Sequence, residues 1–193
     1  MTEMTLGPDD LRLMLTHARR DNSRLIDKAY RAISVSTRAS ILYAALDRLH
    51  ATLDCDDVIR AIDDILMNVV GAQQVAIFEL AGDGSLKLVS SSGADHAPNS
   101  VPAGEGIIGR AVANGGLFVR RDDPQREGLH WEASLSACVP LRLGKRPFGA
   151  IALFALADQK NDFSSTDLEL FRLLETHAAV ALRASGLEAA AER

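Results

Sequence analysis

The 193-residue sequence has few cysteines, few aromatic residues and no long apolar run. Its two cysteines, Cys55 and Cys138, show no C-x-x-C spacing, which argues against both a zinc site and a disulfide framework. No segment approaches the roughly 18 to 20 apolar residues that a membrane span needs, and the polar, acidic start is not that of a signal peptide. The sequence therefore predicts a cytoplasmic protein without a membrane span.

An excess of basic residues is also missing, since the formal net charge is -5 at pH 7. Because a protein that binds nucleic acid presents a positive surface to the phosphates, nucleic acid is not an expected partner. With 47% hydrophobic and 24% charged residues, the composition is that of an ordinary globular protein with one good core.

The first part of the chain carries an apolar residue at every seventh position, which is typical of a helix that packs against a partner helix. The stretch 34–37, Ser-Val-Ser-Thr, favours a break, and Ser36 or Thr37 would cap the next helix. We therefore predict a helical extension over residues 1–38, used for dimerisation or partner docking, before a domain over 39–193. The candidate dimer-interface residues are Leu11, Ala18, Leu25, Ala32, Leu42, Leu46, Leu174, His177 and Ala181.

Within residues 39–193, the apolar spacing predicts two helices, then two β-hairpins separated by a short helix, then a long last helix. The predicted helices cover residues 39–52 and Asp54 to Gly71, and a last helix starts near Ser164 or Ser165. The predicted strands cover 74–80 and 85–92, joined by the turn Gly82-Asp83-Gly84, and then 117–120, 135–143 and 147–156. The short helix lies within residues 102–115, which read P-A-G-E-G-I-I-G-R-A-V-A-N-G. Its apolar residues form one face, so we expect it to cover a sheet.

This order of elements resembles that of the GAF domain family of regulatory ligand-binding modules. The resemblance implies an α+β fold, an α/β sandwich with a central antiparallel sheet of five or six strands, helices on both faces and long terminal helices. It also implies a ligand pocket between the short helix, the neighbouring loops and the sheet. The candidate pocket residues, chosen by strand alternation or by their place in the loop, are Ser90, Ser92, Ile107, Ile108, Val112, His130, Trp131, Ser134, Ser136 and Cys138.

Trp131 is the only tryptophan, and it lies in the polar segment 121–132, where we expect ligand specificity. Two interpretations of it stay open at this point: an anchor that stacks on a ligand, or a staple that packs on the core. In the second case large apolar side chains fill the pocket and no ligand binds.

Two sequence patterns resemble nucleotide-binding motifs, and each matches its motif incompletely. The run G-E-G-I-I-G matches the dinucleotide pattern only formally, because Pro102 precedes it where a buried strand would run. Cyclic-nucleotide-binding GAF domains carry an N-K, F, D-E signature, which Lys160, Asn161, Phe163, Asp167 and Glu169 match imperfectly and in the wrong order. We interpret Phe163 as a core residue and Asp167 as a helix cap.

The enzymatic alternative is a free methionine sulfoxide reductase, an activity that the resemblance allows. Such an enzyme needs a thiolate and a resolving cysteine, and the loop E-G-L-H-W-E-A-S upstream of Cys138 has none. Attachment of a bilin needs a cysteine beside a histidine, and neither cysteine has such a neighbour. The five histidines show no metal-ligand spacing, so no metal site and no cofactor are predicted, and His130 is the histidine of most functional interest.

These observations predict a non-enzymatic regulatory protein that acts in signalling through homodimerisation and contacts with a protein partner. No output domain is expected after Ala184. The alternative function is a sensor of a small molecule, for example a cyclic nucleotide.

Overall fold

The computed structural model describes Arg24, Leu25, Lys28, residues 35–160 and residues 162–191, with side chains described as far as Gly186. The chain divides into two compact units, Met1–Ile41 and Leu42–Arg193. The described helices are α1 (residues 35–49), α2 (Cys55–Ile65), α3 (Gly106–Asn114) and α4 (Ser165–Ala191). The strands are β1 (Ala72–Leu80), β2 (Ser85–Ser92), β3 (Ser100–Pro102), β4 (Phe118–Val119), β5 (Ala137–Leu143) and β6 (Arg146–Leu156).

The six strands form one antiparallel sheet in the order β3-β2-β1-β6-β5-β4. Helices α2 and α4 cover one face with a large apolar cluster, and α3 covers the other face with a second cluster. The predicted α+β fold is therefore confirmed, with six strands and helices on both faces. The short strand β3 lies in a segment where the sequence predicts only a loop.

Side-chain caps stabilise the starts of α2 and α4. The Asp54 carboxylate accepts a hydrogen bond from the backbone N–H of Asp57 at 3.0 Å, so Asp54 caps α2 as predicted. At the start of α4, Asp167 accepts from the backbone N–H of Ser164 at 2.7 Å, and Ser164 Oγ accepts from the backbone N–H of Asp167 at 3.2 Å. A π-helical turn, Leu66–Val70, extends α2 before Gly71 ends it at φ 77°.

Helix α1 differs from the sequence prediction. Residues 35–49 are all helical, so Ser36 and Thr37 lie within the helix and do not cap a new one. Ser40 Oγ donates to the Ser36 carbonyl one turn earlier, at 3.0 Å. This hydrogen bond gives the Ser40 hydroxyl an acceptor within α1.

Strand β2 contains a β-bulge. Phe78 pairs with Leu88 whereas its neighbour Ile77 pairs with Ser90, so Val89 is an extra residue in β2. Because side chains alternate between faces, one extra residue moves every later side chain of β2 to the opposite face. Ser90 consequently lies with Ile77 on the face that α2 and α4 cover.

In the described part of the chain, no helix has both the length and the apolar character to cross a bilayer.

Candidate functional site

Apolar side chains fill the space between α3 and the sheet. Three predicted pocket residues of α3, Ile107, Ile108 and Val112, are buried there, and Cys138 of β5 lies in the same cluster. The other buried members of this cluster are Ala76, Phe78, Leu86, Ala94, Val101, Ala111, Phe118, Leu135, Ala150, Ala152 and Phe154. The structure thus brings these four predicted residues together, but as parts of a packed core.

Trp131 covers this cluster from the loop side. Its ring lies 6.4 Å from that of Phe78 and 6.1 Å from that of Phe154, tilted against both, and the side chain is half-buried. His96 packs edge-on against the other side of Phe154, with 4.6 Å between ring centroids. These distances are those of favourable aromatic pairs. Trp131 packs on the core here, as the second interpretation expects, and ligand binding by this loop stays a prediction.

The most unusual polar group on this side is Glu132, whose side chain is fully buried. Both carboxylate oxygens accept from the backbone N–H of Ile107, at 2.8 and 2.9 Å, and Oε1 also accepts from that of Ile108 at 2.8 Å. Oε2 accepts from the backbone N–H of Leu129 at 2.7 Å. The residue in the cap position of α3, Glu105, makes no side-chain cap. Glu132 therefore caps α3 from a distant loop, at the helix end where the dipole stabilises negative charge.

Two glycines make room for this carboxylate. A Cβ on Gly106, which has φ +62°, would lie 2.5 Å from Glu132 Oε2, and a Cβ on Gly128 would lie 2.7 Å from the same atom. Gly106 of the run G-E-G-I-I-G thus lets an anion approach a helix N-terminus, as glycines do in phosphate sites. Here the anion is the chain's own carboxylate, which takes the position that a bound phosphate would need.

Arg120 holds the loop that carries Glu132 and Trp131. Its guanidinium donates to three backbone carbonyls, those of Leu135 at 3.0 Å, Arg126 at 3.1 Å and Glu132 at 3.1 Å. The guanidinium carbon also lies 5.1 Å from the centre of the Phe118 ring, in cation–π contact. A planar group with five donors suits this clamp better than an ammonium would.

Several predicted pocket residues lie elsewhere. Ser90 and Ser92 are on the opposite face of the sheet because of the bulge, and Ser92 Oγ donates to Asp63 Oδ2 of α2 at 2.6 Å. The prediction that they line a pocket beneath α3 is wrong for that reason. His130 and Ser134 are exposed in the loop, and Ser136 is half-buried at the edge of a cavity of about 260 Å³ next to Arg120 and Asp162.

The environment of the two thiols differs. Cys138 is fully buried, and burial, together with the nearby Glu132 charge, raises the pKa of its thiol far above the ordinary value. A thiol in this state supplies no thiolate at neutral pH. Cys55 is half-buried at the start of α2, beside a cavity of about 240 Å³ on the other face of the sheet.

The residues that partly match the cyclic-nucleotide signature are structural. Lys160 Nζ donates to Asp167 at 2.8 Å and also to the Val70 carbonyl at the end of the π-helical turn. Phe163 is buried in the core and packs edge-on against Phe171, with 5.1 Å between ring centroids. Asn161 lies outside the described residues. Asp167 and Lys160 therefore join the end of α2 to the start of α4.

The candidate dimer residues fall into four groups. Leu11, Ala18 and Ala32 lie outside the described residues, and Leu25 is exposed. Leu174 and Ala181 are buried in the domain's own core, so a helix seam would have to use their outward-facing neighbours. Leu42, Leu46 and His177 are half-buried. The homodimer itself stays a prediction.

A comparison with protein-family models matches residues 52–183 to the GAF domain model. The chain belongs to the GAF domain family. The match begins just before α2 and ends within α4, so it covers the whole sheet, α3 and the Glu132 loop of this GAF domain. No curated protein sequence matches the chain.

Solved structures with the same fold include both signalling proteins and enzymes. The GAF domain of a phosphoenolpyruvate-protein phosphotransferase from Coxiella burnetii superimposes with a TM-score of 0.65 at 16% identity, over 79% of this chain and 96% of that one. Free methionine-R-sulfoxide reductase from Neisseria meningitidis, in complex with its substrate, gives a TM-score of 0.59 at 21% identity, over 80% and 93%. A methyl-accepting chemotaxis protein gives 0.58 at 19% identity, over 74% and 97%. At these identities the likeness shows the fold.

Sequence reasoning missed Glu132 and Arg120, the two residues that organise this site. A carboxylate in a mixed loop carries no periodic signal, and its partners lie 24 and 25 positions earlier in the chain. The one signal in the sequence was Gly106, a glycine at the start of an apolar helix.

Proposed function

We propose that this GAF domain is a non-enzymatic regulatory module in signalling, which acts as a homodimer and through contacts with a protein partner. The observation that carries the proposal is the packed interior beneath α3. Apolar side chains occupy the space, Trp131 covers it, and Glu132 occupies the anion-binding end of α3. A catalytic pocket needs room for a substrate and a group able to react, and this interior offers neither in its packed state.

The buried thiol supports the non-enzymatic part of the proposal. A reductase of the methionine sulfoxide type needs an accessible thiolate, whereas Cys138 is buried and Cys55 lies on the other side of the sheet. We expect no turnover of free methionine-R-sulfoxide in the presence of a thiol reductant. Measurable turnover that a Cys138→Ser variant abolishes would refute this part.

Exposed apolar side chains on the outer helices support the proposed association. Tyr43 of α1 is 73% exposed and Val180 of α4 is 42% exposed. A second copy that packs against α1 and α4 would cover these two side chains. The apolar residue at every seventh position of the predicted N-terminal extension favours the same arrangement.

The association is tested by light scattering coupled to size-exclusion chromatography between about 1 and 100 µM protein, a span of two decades around common dissociation constants. We expect a dimer that Val180→Glu weakens. Val89→Glu is the matched control, because Val89 is 40% exposed but lies on β2. A monomer throughout, or an equal effect of both substitutions, would contradict the proposed use of the helices.

A small-molecule sensor remains the second candidate, favoured by the half-buried state of Trp131 over the aromatic cluster. A ligand in this place would have to displace the indole, and Trp131 is the only tryptophan, so its fluorescence reports the event directly. Cyclic nucleotides, amino acids and 2-oxo acids are the compounds to titrate. A ligand at a hundred times its dissociation constant would also add about 2.7 kcal/mol of stability.

A further inference from the structure

Two histidines that are 127 positions apart in sequence meet on the surface of the domain. His50 follows the last residue of α1, where its backbone N–H donates to the Leu46 carbonyl at 3.2 Å and completes the final turn. His177 lies in the middle of α4. His50 Nε2 and His177 Nδ1 are 3.2 Å apart, and the rings are nearly perpendicular, with an interplanar angle of 77°.

The distance between these nitrogens suits a shared metal ion. Two imidazole nitrogens that each lie about 2.0 to 2.1 Å from a tetrahedral Zn²⁺ are roughly 3.3 to 3.4 Å apart. The observed distance between the two nitrogens, 3.2 Å, lies within a few tenths of an ångström of this value. Because His50 is exposed and His177 half-buried, water and ions reach the pair from solvent.

A change of tautomer in one ring frees both facing nitrogens for a metal ion. In the hydrogen-bonded state, one of the two facing nitrogens carries a hydrogen and the other accepts it. To bind a cation, that ring takes its other tautomer, so that both facing nitrogens present a lone pair and each ring keeps its hydrogen on the remote nitrogen. A neutral pair therefore binds the ion without releasing a proton.

We propose that His50 and His177 form a two-imidazole binding site for a first-row transition-metal ion, with water in the remaining positions. Imidazole ligands select Zn²⁺, Ni²⁺ and Cu²⁺ and disfavour Mg²⁺ and Ca²⁺, which prefer oxygen. Across the residues that the structure describes, no group of three or more His, Cys, Asp or Glu side chains converges on one point. The site is consequently open and exchangeable, unlike a closed structural zinc site.

A bound ion would fasten the end of α1 to the middle of α4. Ala45 and Leu49, near the end of α1, belong to the same apolar cluster as the buried residues of α4. An ion at their junction would thus stabilise the helical layer without entering the interior beneath α3. Its effect on stability follows the ratio of free ion concentration to dissociation constant.

The proposal is tested with the full chain and Zn²⁺ alone, by isothermal titration calorimetry and by the thermal midpoint with and without ZnCl₂. We expect one Zn²⁺ per chain, a raised midpoint, and a loss of affinity of at least roughly ten-fold in both His50→Gln and His177→Gln. His130→Gln is the control, since His130 is exposed in the loop of the other face. Mg²⁺ should give no heat of binding.

Co²⁺ provides a second readout, because its visible absorption bands change with the ligands and the coordination geometry of the ion. The two glutamine variants should fold, as circular dichroism would show, yet lose these bands. If His50→Gln and His177→Gln bind Zn²⁺ as the unmodified chain does, or if His130→Gln weakens binding equally, the assigned site is wrong and the ion binds only adventitiously.

Discussion

The backbone N–H of Ile108 and the Glu132 carboxylate meet at 2.8 Å, although the two residues are 24 positions apart in the chain. This hydrogen bond joins the start of α3 to the loop that precedes β5. Because the carboxylate is fully buried, it is stable there only with its donors in place. The loop and the helix should therefore order together.

Removal of the Glu132 carboxylate should be strongly destabilising. In Glu132→Ala, the backbone N–H groups of Ile107, Ile108 and Leu129 lose their acceptor, at a cost of about 3 kcal/mol or more, since each unsatisfied buried donor costs about 1 to 3. Urea denaturation measures the change. Glu127→Ala in the same loop is the control, because Glu127 is exposed. Similar losses in both variants would show that the cap contributes little.

Arg120→Lys should loosen the loop while keeping the charge. A lysine ammonium cannot reach the carbonyls of Leu135, Arg126 and Glu132 together, so we expect faster amide hydrogen exchange over residues 126–135. Arg121→Lys serves as the comparison, because Arg121 is exposed and pairs with Asp162. Unchanged exchange in Arg120→Lys would refute the clamp.

Asp63→Asn should stabilise the protein at neutral pH. Burial raises the pKa of Asp63, against the opposing effect of the hydrogen bond from Ser92, and the buried Oδ1 atom has no partner. A carboxyl with a raised pKa in the folded state binds its proton more tightly there than in the unfolded chain. Stability is therefore lost as pH rises from the unfolded pKa, about 3.9, through the folded one.

The gain from Asp63→Asn should accordingly shrink as the pH is lowered from 7 towards 4, which denaturation at a series of pH values would measure. Asp158→Asn, at an exposed aspartate, is the matched control. A gain for Asp63→Asn that is constant over this range would contradict the role of the raised pKa.

The two thiols should react at very different rates. In the folded protein, a thiol reagent such as 5,5′-dithiobis(2-nitrobenzoate) should titrate Cys55 alone, because Cys138 is fully buried. The second thiol should appear only in guanidinium chloride. Cys55→Ser should leave no reactive thiol in the folded state. Rapid reaction of Cys138 in that variant would mean that the interior beneath α3 opens readily.

Local sequence signals determined most of the secondary structure and, through it, the fold. Asp54 before the apolar spacing of α2, Ser164 and Asp167 at the start of α4, and the turn residues Gly82-Asp83-Gly84 all act within a few positions. Such signals can be interpreted without the tertiary structure because the interacting groups are neighbours in the chain. The packing of an apolar helix on an antiparallel sheet followed from the same patterns.

The tertiary structure alone decided what occupies the interior and which faces the polar residues take. One extra residue in β2, Val89, moved Ser90 and Ser92 to the far side of the sheet, and alternation along the strand could not foresee it. Glu132 reaches α3 across more than 20 positions, and His50 reaches His177 across 127. Contacts between residues so far apart depend on how the whole sheet and its helices pack, and periodicity within a single element carries no information about them.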